Sequence, residues 1–361
     1  MLHSIFRPAS WLVLNLAIST LSAIASDSPR PQLQIINGSQ ETVRIEWLRE
    51  GTARVSNGSL APGEEKVIAT ALGHRFAVVG KEGERIVTSE VPVQGFRYET
   101  SAADGVPAFY SQRASAGGFP VVASATVNPY ALKEAVYLID MMFAKRPDLR
   151  KAMIQSGARM CILAWNEFTT DLPEFSQFKP KDFWDARARG TGGSETDPFC
   201  SCGEENLLGY PGDPYATECI LIHEFAHSIH LRGMSNVDPT FDERVKAAYD
   251  AAMKSGLWKG KYAATNRFEY FAEGVQSWFD NNRENDHDHN HVNTRAELLE
   301  YDAGLAALCR EIFGDTELRY TKPATRLSGH LAGYDPAKAP TFVWPERLKA
   351  AKEKISKEAN R

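Results

Sequence analysis

Two histidines four residues apart, with a glutamate directly after the first, leave the run His223-Glu224-Phe225-Ala226-His227 few conformations to choose from. On a helix, residues four apart share a face, so both imidazoles can bind one zinc ion while Glu224 points at a water beside it. A catalytic zinc takes three protein ligands and keeps its fourth position open, so a third ligand must come from elsewhere in the chain. The extended form of the motif is absent, because His230 stands where it needs a glycine and Gly233 where it needs a third histidine. Downstream, a helical pattern over 266–281 offers Glu269 and Glu273, again four apart on one face. One carboxylate can bind the ion and the other can orient a ligand histidine from behind. One zinc per chain is expected.

Around that motif the chain divides by composition and period. Residues 1–25 read as a signal peptide, since Arg7 precedes an apolar run from Trp11 to Ala25 that ends in Ala23-Ile24-Ala25, a small-x-small cleavage pattern. That run falls short of the roughly 20 residues that span a bilayer, and no later segment approaches that length. The mature chain is therefore expected to be secreted or periplasmic, without a membrane span. A formal charge of -5 with scattered Lys and Arg provides no basic stripe for nucleic acid. Five cysteines in an exported chain permit disulfides, and Cys202 or Cys200 with Cys219 is the expected staple, closing a loop just before the zinc motif.

Residues 33–95 carry short β-rich runs punctuated by Asn37-Gly38, Asn57-Gly58 and Pro62-Gly63, and predict an antiparallel β-sandwich. Residues 96–128, rich in Ser, Ala and Gly, read as a linker. From 129 to 340 the period becomes helical, with helices over 131–145, 148–156, from an Asp213 cap through His230, and over 240–255, 266–281 and 294–313. A buried strand is expected over 160–164. Residues 168–214 form a long aromatic and Gly-rich segment centred on Arg189-Gly190-Thr191-Gly192-Gly193, a length typical of functional loops. Residues 341–361 are a charged tail, expected to fray from Lys349 onwards.

The segment Tyr262-Ala263-Ala264-Thr265-Asn266-Arg267-Phe268-Glu269-Tyr270-Phe271-Ala272-Glu273, with the histidine pair upstream, resembles the catalytic domain of the anthrax lethal factor family, gluzincin-class zinc metallopeptidases. The resemblance spans residues 223–273. It implies Tyr262 as a donor to the transition state, Glu269 as the third zinc ligand beside His223 and His227, and Glu273 as a carboxylate behind the ligands. Glu224 then serves as general base for hydrolysis of a peptide or protein substrate. Asn37, Trp47-Leu48, Leu60-Ala61-Pro62-Gly63, Thr70 and Gly73-His74-Arg75-Phe76 are similar to the β-domain of the von Hippel-Lindau tumour suppressor, which implies a peptide groove at Trp47, Thr70 and His74. The fold class expected is thus α+β, an N-terminal antiparallel β-sandwich followed by an α-rich zincin-like metallopeptidase domain.

Other residues are candidates for the rim. His230 lies one turn beyond His227, and the His/Asp-rich run 286–291 could offer His289 and His291 to substrate or hold a second metal. Glu204-Glu205-Asn206-Leu207-Leu208 reads as an edge strand able to pair with an extended peptide. Two other functions use the same residues: a secreted binding protein with a non-catalytic zinc site and a peptide-binding β-domain, and an amidase acting on cell-wall peptides. Intact Glu224 and Tyr262 favour hydrolysis.

Overall fold

A computed structural model describes residues 30–50, 53–100 and 104–359, so the expected signal peptide over 1–25 lies outside the described residues. The chain is α+β, with sheets first and helices later. The N-terminal part runs through β1 (Gln32–Asn37), β2 (Val43–Leu48), β3 (Arg54–Leu60), β4 (Glu65–Ala69), β5 (Arg75–Gly80), β6 (Gly83–Thr88) and β7 (Val93–Tyr98). One sheet has the order β4-β1-β7 and the other β3-β2-β5-β6. Period-2 alternation turns Leu33, Ile35 and Ile68 of the first and Val43, Ile45, Phe76 and Val78 of the second into one shared core. The expected antiparallel arrangement fails at one pair: β1 and β7 are parallel. A parallel pair needs a long crossover, and here everything between Asn37 and Val93 supplies it.

The interval 96–128, expected to be a linker, is structured. β8 (Gln112–Ala116) and β9 (Phe119–Ala123) form a hairpin whose turn residues, Gly117 and Gly118, both have positive φ (57° and 101°), as a primed two-residue turn requires. Asn128 caps α1 (Pro129–Met142), its side chain accepting from the Tyr130 N–H, and α2 (Pro147–Gln155) leads into the wholly buried β10 (Arg159–Leu163). The Gly-rich segment then yields α3 (Lys181–Arg187), β11 (Gly190–Thr191) and β12 (Phe199–Gly203). The resulting sheet has the order β11-β12-β10-β9-β8, with β9, β10 and β12 parallel and antiparallel strands at both edges. The run expected as an edge strand, Glu204–Leu208, is instead the short helix α4, closed by Gly209 in the left-handed conformation.

The helical half covers that sheet. α5 (Ile220–Ser228) continues through a π-helical turn (Ile229–Met234) into α6 (Ser235–Val237), followed by α7 (Phe241–Lys254) and α8 (Arg267–Trp278). α5 begins later than the Asp213-Pro214 signal predicts, because its first N–H groups are capped from afar: Asn281 Oδ1 accepts from Cys219 N and Asn206 Oδ1 from Ile220 N, each at 2.7 Å. The helix expected over 294–313 is two, α9 (Arg295–Tyr301) and α10 (Ala303–Phe313). The chain turns at Asp302, whose carboxylate accepts from Leu305 N, Trp258 Nε1 and the Tyr270 hydroxyl. The C-terminal region packs onto the fold: Leu348 and Phe342 are buried with Phe168, and α11 (Lys349–Ala359) is helical and lies beside α3.

The two halves are joined by direct backbone contacts. Val93 exchanges hydrogen bonds with the Asn236 side chain (2.6 and 2.9 Å), and Gly95 N donates to Ser156 O at 2.9 Å. The expected disulfide is absent: Cys161, Cys200, Cys202, Cys219 and Cys309 are all unpaired and buried. Cys200 and Cys202 point into the apolar layer under α5, where burial pushes the Cys200 thiol up to about 12. Buried neutral thiols behave as small hydrophobes. A thiol reagent should therefore find no fast-reacting group in the folded protein and all five after denaturation; three after denaturation would reveal a disulfide.

Candidate metal centre

α5 is buried on almost every side, seated between the sheet and α8. His223 and His227 lie one turn apart and meet Glu269 in the first turn of α8. That turn is fixed locally, since Asn266 Oδ1 accepts from Phe268 N (2.8 Å) and Glu269 N (3.0 Å) as a helix cap. His223 Nε2 and His227 Nε2 are 3.3 Å apart, and Glu269 Oε2 is 3.1 Å from the first and 3.4 Å from the second. Tetrahedral zinc with ligands at about 2.0–2.1 Å separates neighbouring donor atoms by about 3.3–3.4 Å. Two ring nitrogens and one carboxylate oxygen facing a common point at that spacing can hold a metal ion. Burial pushes the His223 pKa down, but the Glu269 hydrogen bond and the charges of Glu269, Glu224 and Glu273 together outweigh it and raise it well above the usual range.

Behind the ligands the hydrogen bonds differ from those expected. The His223 Nδ1 partner is Gln276 Oε1 at 2.8 Å, whereas Glu273 Oε1 stands off at 3.6 Å. The orientation of the Gln276 amide is set in turn by Glu218, whose carboxylate accepts from Gln276 Nε2 at 2.9 Å. That leaves Oε1 for His223, places the proton on Nδ1, and turns the Nε2 lone pair towards the metal position. Glu218 and Gln276 were not foreseen from the sequence. The signal was there for Gln276, which continues the 269, 273, 276 stripe along one helix face.

Glu224 follows His223 on α5 and is the residue of that helix left partly exposed, its carboxylate making no hydrogen bond to another described side chain. Burial raises its pKa, with His223 and His227 pulling the other way. β11 runs over this end of the helix at very short range. A Cβ on Gly190 would lie 3.0 Å from Glu224 Cγ, and one on Gly192 would lie 2.7 Å from the His227 ring. β11 is the terminal strand of its sheet, the place that Glu204–Leu208, being helical, does not take. The Tyr262 ring sits 6.2 Å from that of His223, and burial, then the Glu269 and Glu273 charges, push its phenol well above the usual range.

The other candidates separate. His230 is fully buried and bonded to Asp242 at 3.1 Å among Phe241, Phe268 and Phe271, so it does not line a substrate groove. His291 is exposed, edge-on to Tyr301, and outside the cluster. His289 turns inward to Glu273 rather than outward to a groove, and among the described residues 286–291 forms no second metal group. Trp47, Thr70 and His74 do come together on the N-terminal sheets: Thr70 Oγ1 is 3.0 Å from His74 Nδ1, whose ring lies 5.1 Å from that of Trp47. No protein-family model matches the chain, and no curated protein gives a significant match. Replacing Gln276 by Ala should weaken zinc binding about 10–100-fold, the usual cost of losing such a partner, as read by competition with a chelator of known affinity.

Proposed function

We propose that this chain is a zinc-dependent metallopeptidase of the gluzincin kind, exported by the segment over 1–25. The observation that carries the reading is the His223, His227 and Glu269 triangle with edges of 3.1–3.4 Å, beside an unengaged glutamate. A zinc ion bound there would act as a Lewis acid and lower the pKa of water towards about 7. Glu224 would accept the proton from the attacking water and return it to the leaving amine. Its raised pKa suits a group that must hold a proton between those steps.

Tyr262, kept protonated by burial and by the neighbouring carboxylates, would donate its hydroxyl to the developing oxyanion. β11 would receive substrate: an extended peptide adding to this edge would run along Gly190-Thr191-Gly192, past Glu224 and His227. The absence of side chains at 190 and 192 keeps that passage close to the ligands. The donor set favours zinc over calcium or magnesium, which prefer all-oxygen shells.

Glu224→Gln should retain about one zinc per chain and lose peptide hydrolysis by roughly 10²-fold or more, because it removes the base and no ligand. Tyr262→Phe should lower kcat by roughly 10²-fold with KM little changed. A peptide-library cleavage assay beside metal analysis checks both, and full turnover in Glu224→Gln would overturn the reading.

A further inference from the structure

Among the described residues the run Asp286-His287-Asp288-His289 joins no metal-binding group, yet it is folded more tightly than a solvated polar loop needs to be. Asp286 Oδ1 accepts from the backbone N–H groups of Asp288 and His289, both at 2.8 Å, and from His289 Nδ1 at 2.9 Å. Its other oxygen pairs with Arg283 at 2.7 Å, and Asn285 N closes the loop on Asn290 O at 2.8 Å. The opposite nitrogen of the nearly buried His289 ring, Nε2, lies 3.3 Å from Glu273 Oε2, on the helix that carries Glu269. Glu273 is itself held by Asn282 at 2.9 Å. The loop is thereby fastened to α8 by one imidazole bridging two carboxylates.

What the loop presents on its other side is a set of carbonyls. Asp288 O accepts from the backbone N–H of Tyr262 at 2.7 Å. The Lys261 ammonium reaches Asp286 O at 3.0 Å and His287 O at 3.2 Å. Tyr262 opens a single 3-10 turn, an element too short to fix its own orientation. We propose that His289 and Asp286 are positioning residues for Tyr262: they lock the 286–291 loop to Glu273, and the locked loop holds Lys261 and Tyr262 in place beside the ligand histidines. The inference rests on the peptidase reading for Tyr262's use, but the clamp itself rests only on contacts within the chain.

Residue-resolved amide hydrogen exchange on the full chain tests it. In His289→Ala the Tyr262 amide should exchange at least about 10-fold faster than in the parent, and in Lys261→Met by a smaller factor in the same direction. The Phe268 and Glu269 amides, held by Asn266, should stay within about twofold in both variants. Lys261→Met removes only a partly exposed side chain and keeps the test open if His289→Ala does not fold. Tyr262 exchange unchanged in both variants, or a uniform rise across α8, would overturn the clamp. In turnover, His289→Ala should lower kcat in the parent background and have no further effect on Tyr262→Phe; equal losses in both backgrounds would also overturn it. A Tyr262→Phe variant of undiminished activity would sink the role given to that hydroxyl, while the exchange data still decide the clamp.

Discussion

The close approach of α5 to α8 is the constraint on which the site depends. Three electron-pair donors, one of them a charged carboxylate, are brought within 3.4 Å of one another in a largely buried position, an arrangement that polar groups adopt only when something compensates their desolvation. Packing on the far side of α8 enforces the approach. A Cβ on Gly274 would lie 2.5 Å from the Leu305 side chain, so the glycine lets α10 come close and press α8 towards the histidines. A metal ion at the common point would turn that enforced crowding into coordination.

Around the donors, buried polar groups satisfy one another in chains that each end on a fixed element. His223, Gln276 and Glu218 form one, and His289 with Glu273 and Asp286 forms another. A third anchors β11: Arg189, with no exposed surface, binds Glu205 bidentately (2.6 and 3.1 Å), donates to the carbonyls of Glu167 and Ala164, and lies over the rings of Phe168 and Phe342. Isolated, such a buried ion pair would gain little, but with its remaining donors satisfied it fixes where the next residue, Gly190, meets α5. The Gly-rich stretch is therefore anchored where it passes the candidate site.

What could be read from the sequence was local. The His223–His227 spacing, the Glu269–Glu273 spacing, the Asn266 start of α8 and the Thr294–Glu297 capping box all rest on relations three or four residues apart, and each lies in the structure where its spacing implies. Contacts made across the fold left no such mark. The parallel β1–β7 pair, the caps that Asn206 and Asn281 supply to α5, the break at Asp302 and the Glu218–Gln276 pair all join residues distant in sequence. β8 and β11 escaped for a different reason: Ala and Gly have weak strand preference, and Thr191 alone is too short a signal for a two-residue strand that backbone pairing holds. The cysteines misled because exported chains so often pair them, whereas these thiols fill an apolar core.

X-ray absorption at the zinc edge of the protein loaded with one equivalent of zinc tests the central claim most directly. The account predicts two imidazole nitrogens at about 2.0–2.1 Å, oxygen at about 2.0–2.2 Å and no sulfur. A shell containing sulfur near 2.3 Å, or a spectrum unchanged in a protein lacking the side chains of His223 and His227, would contradict it.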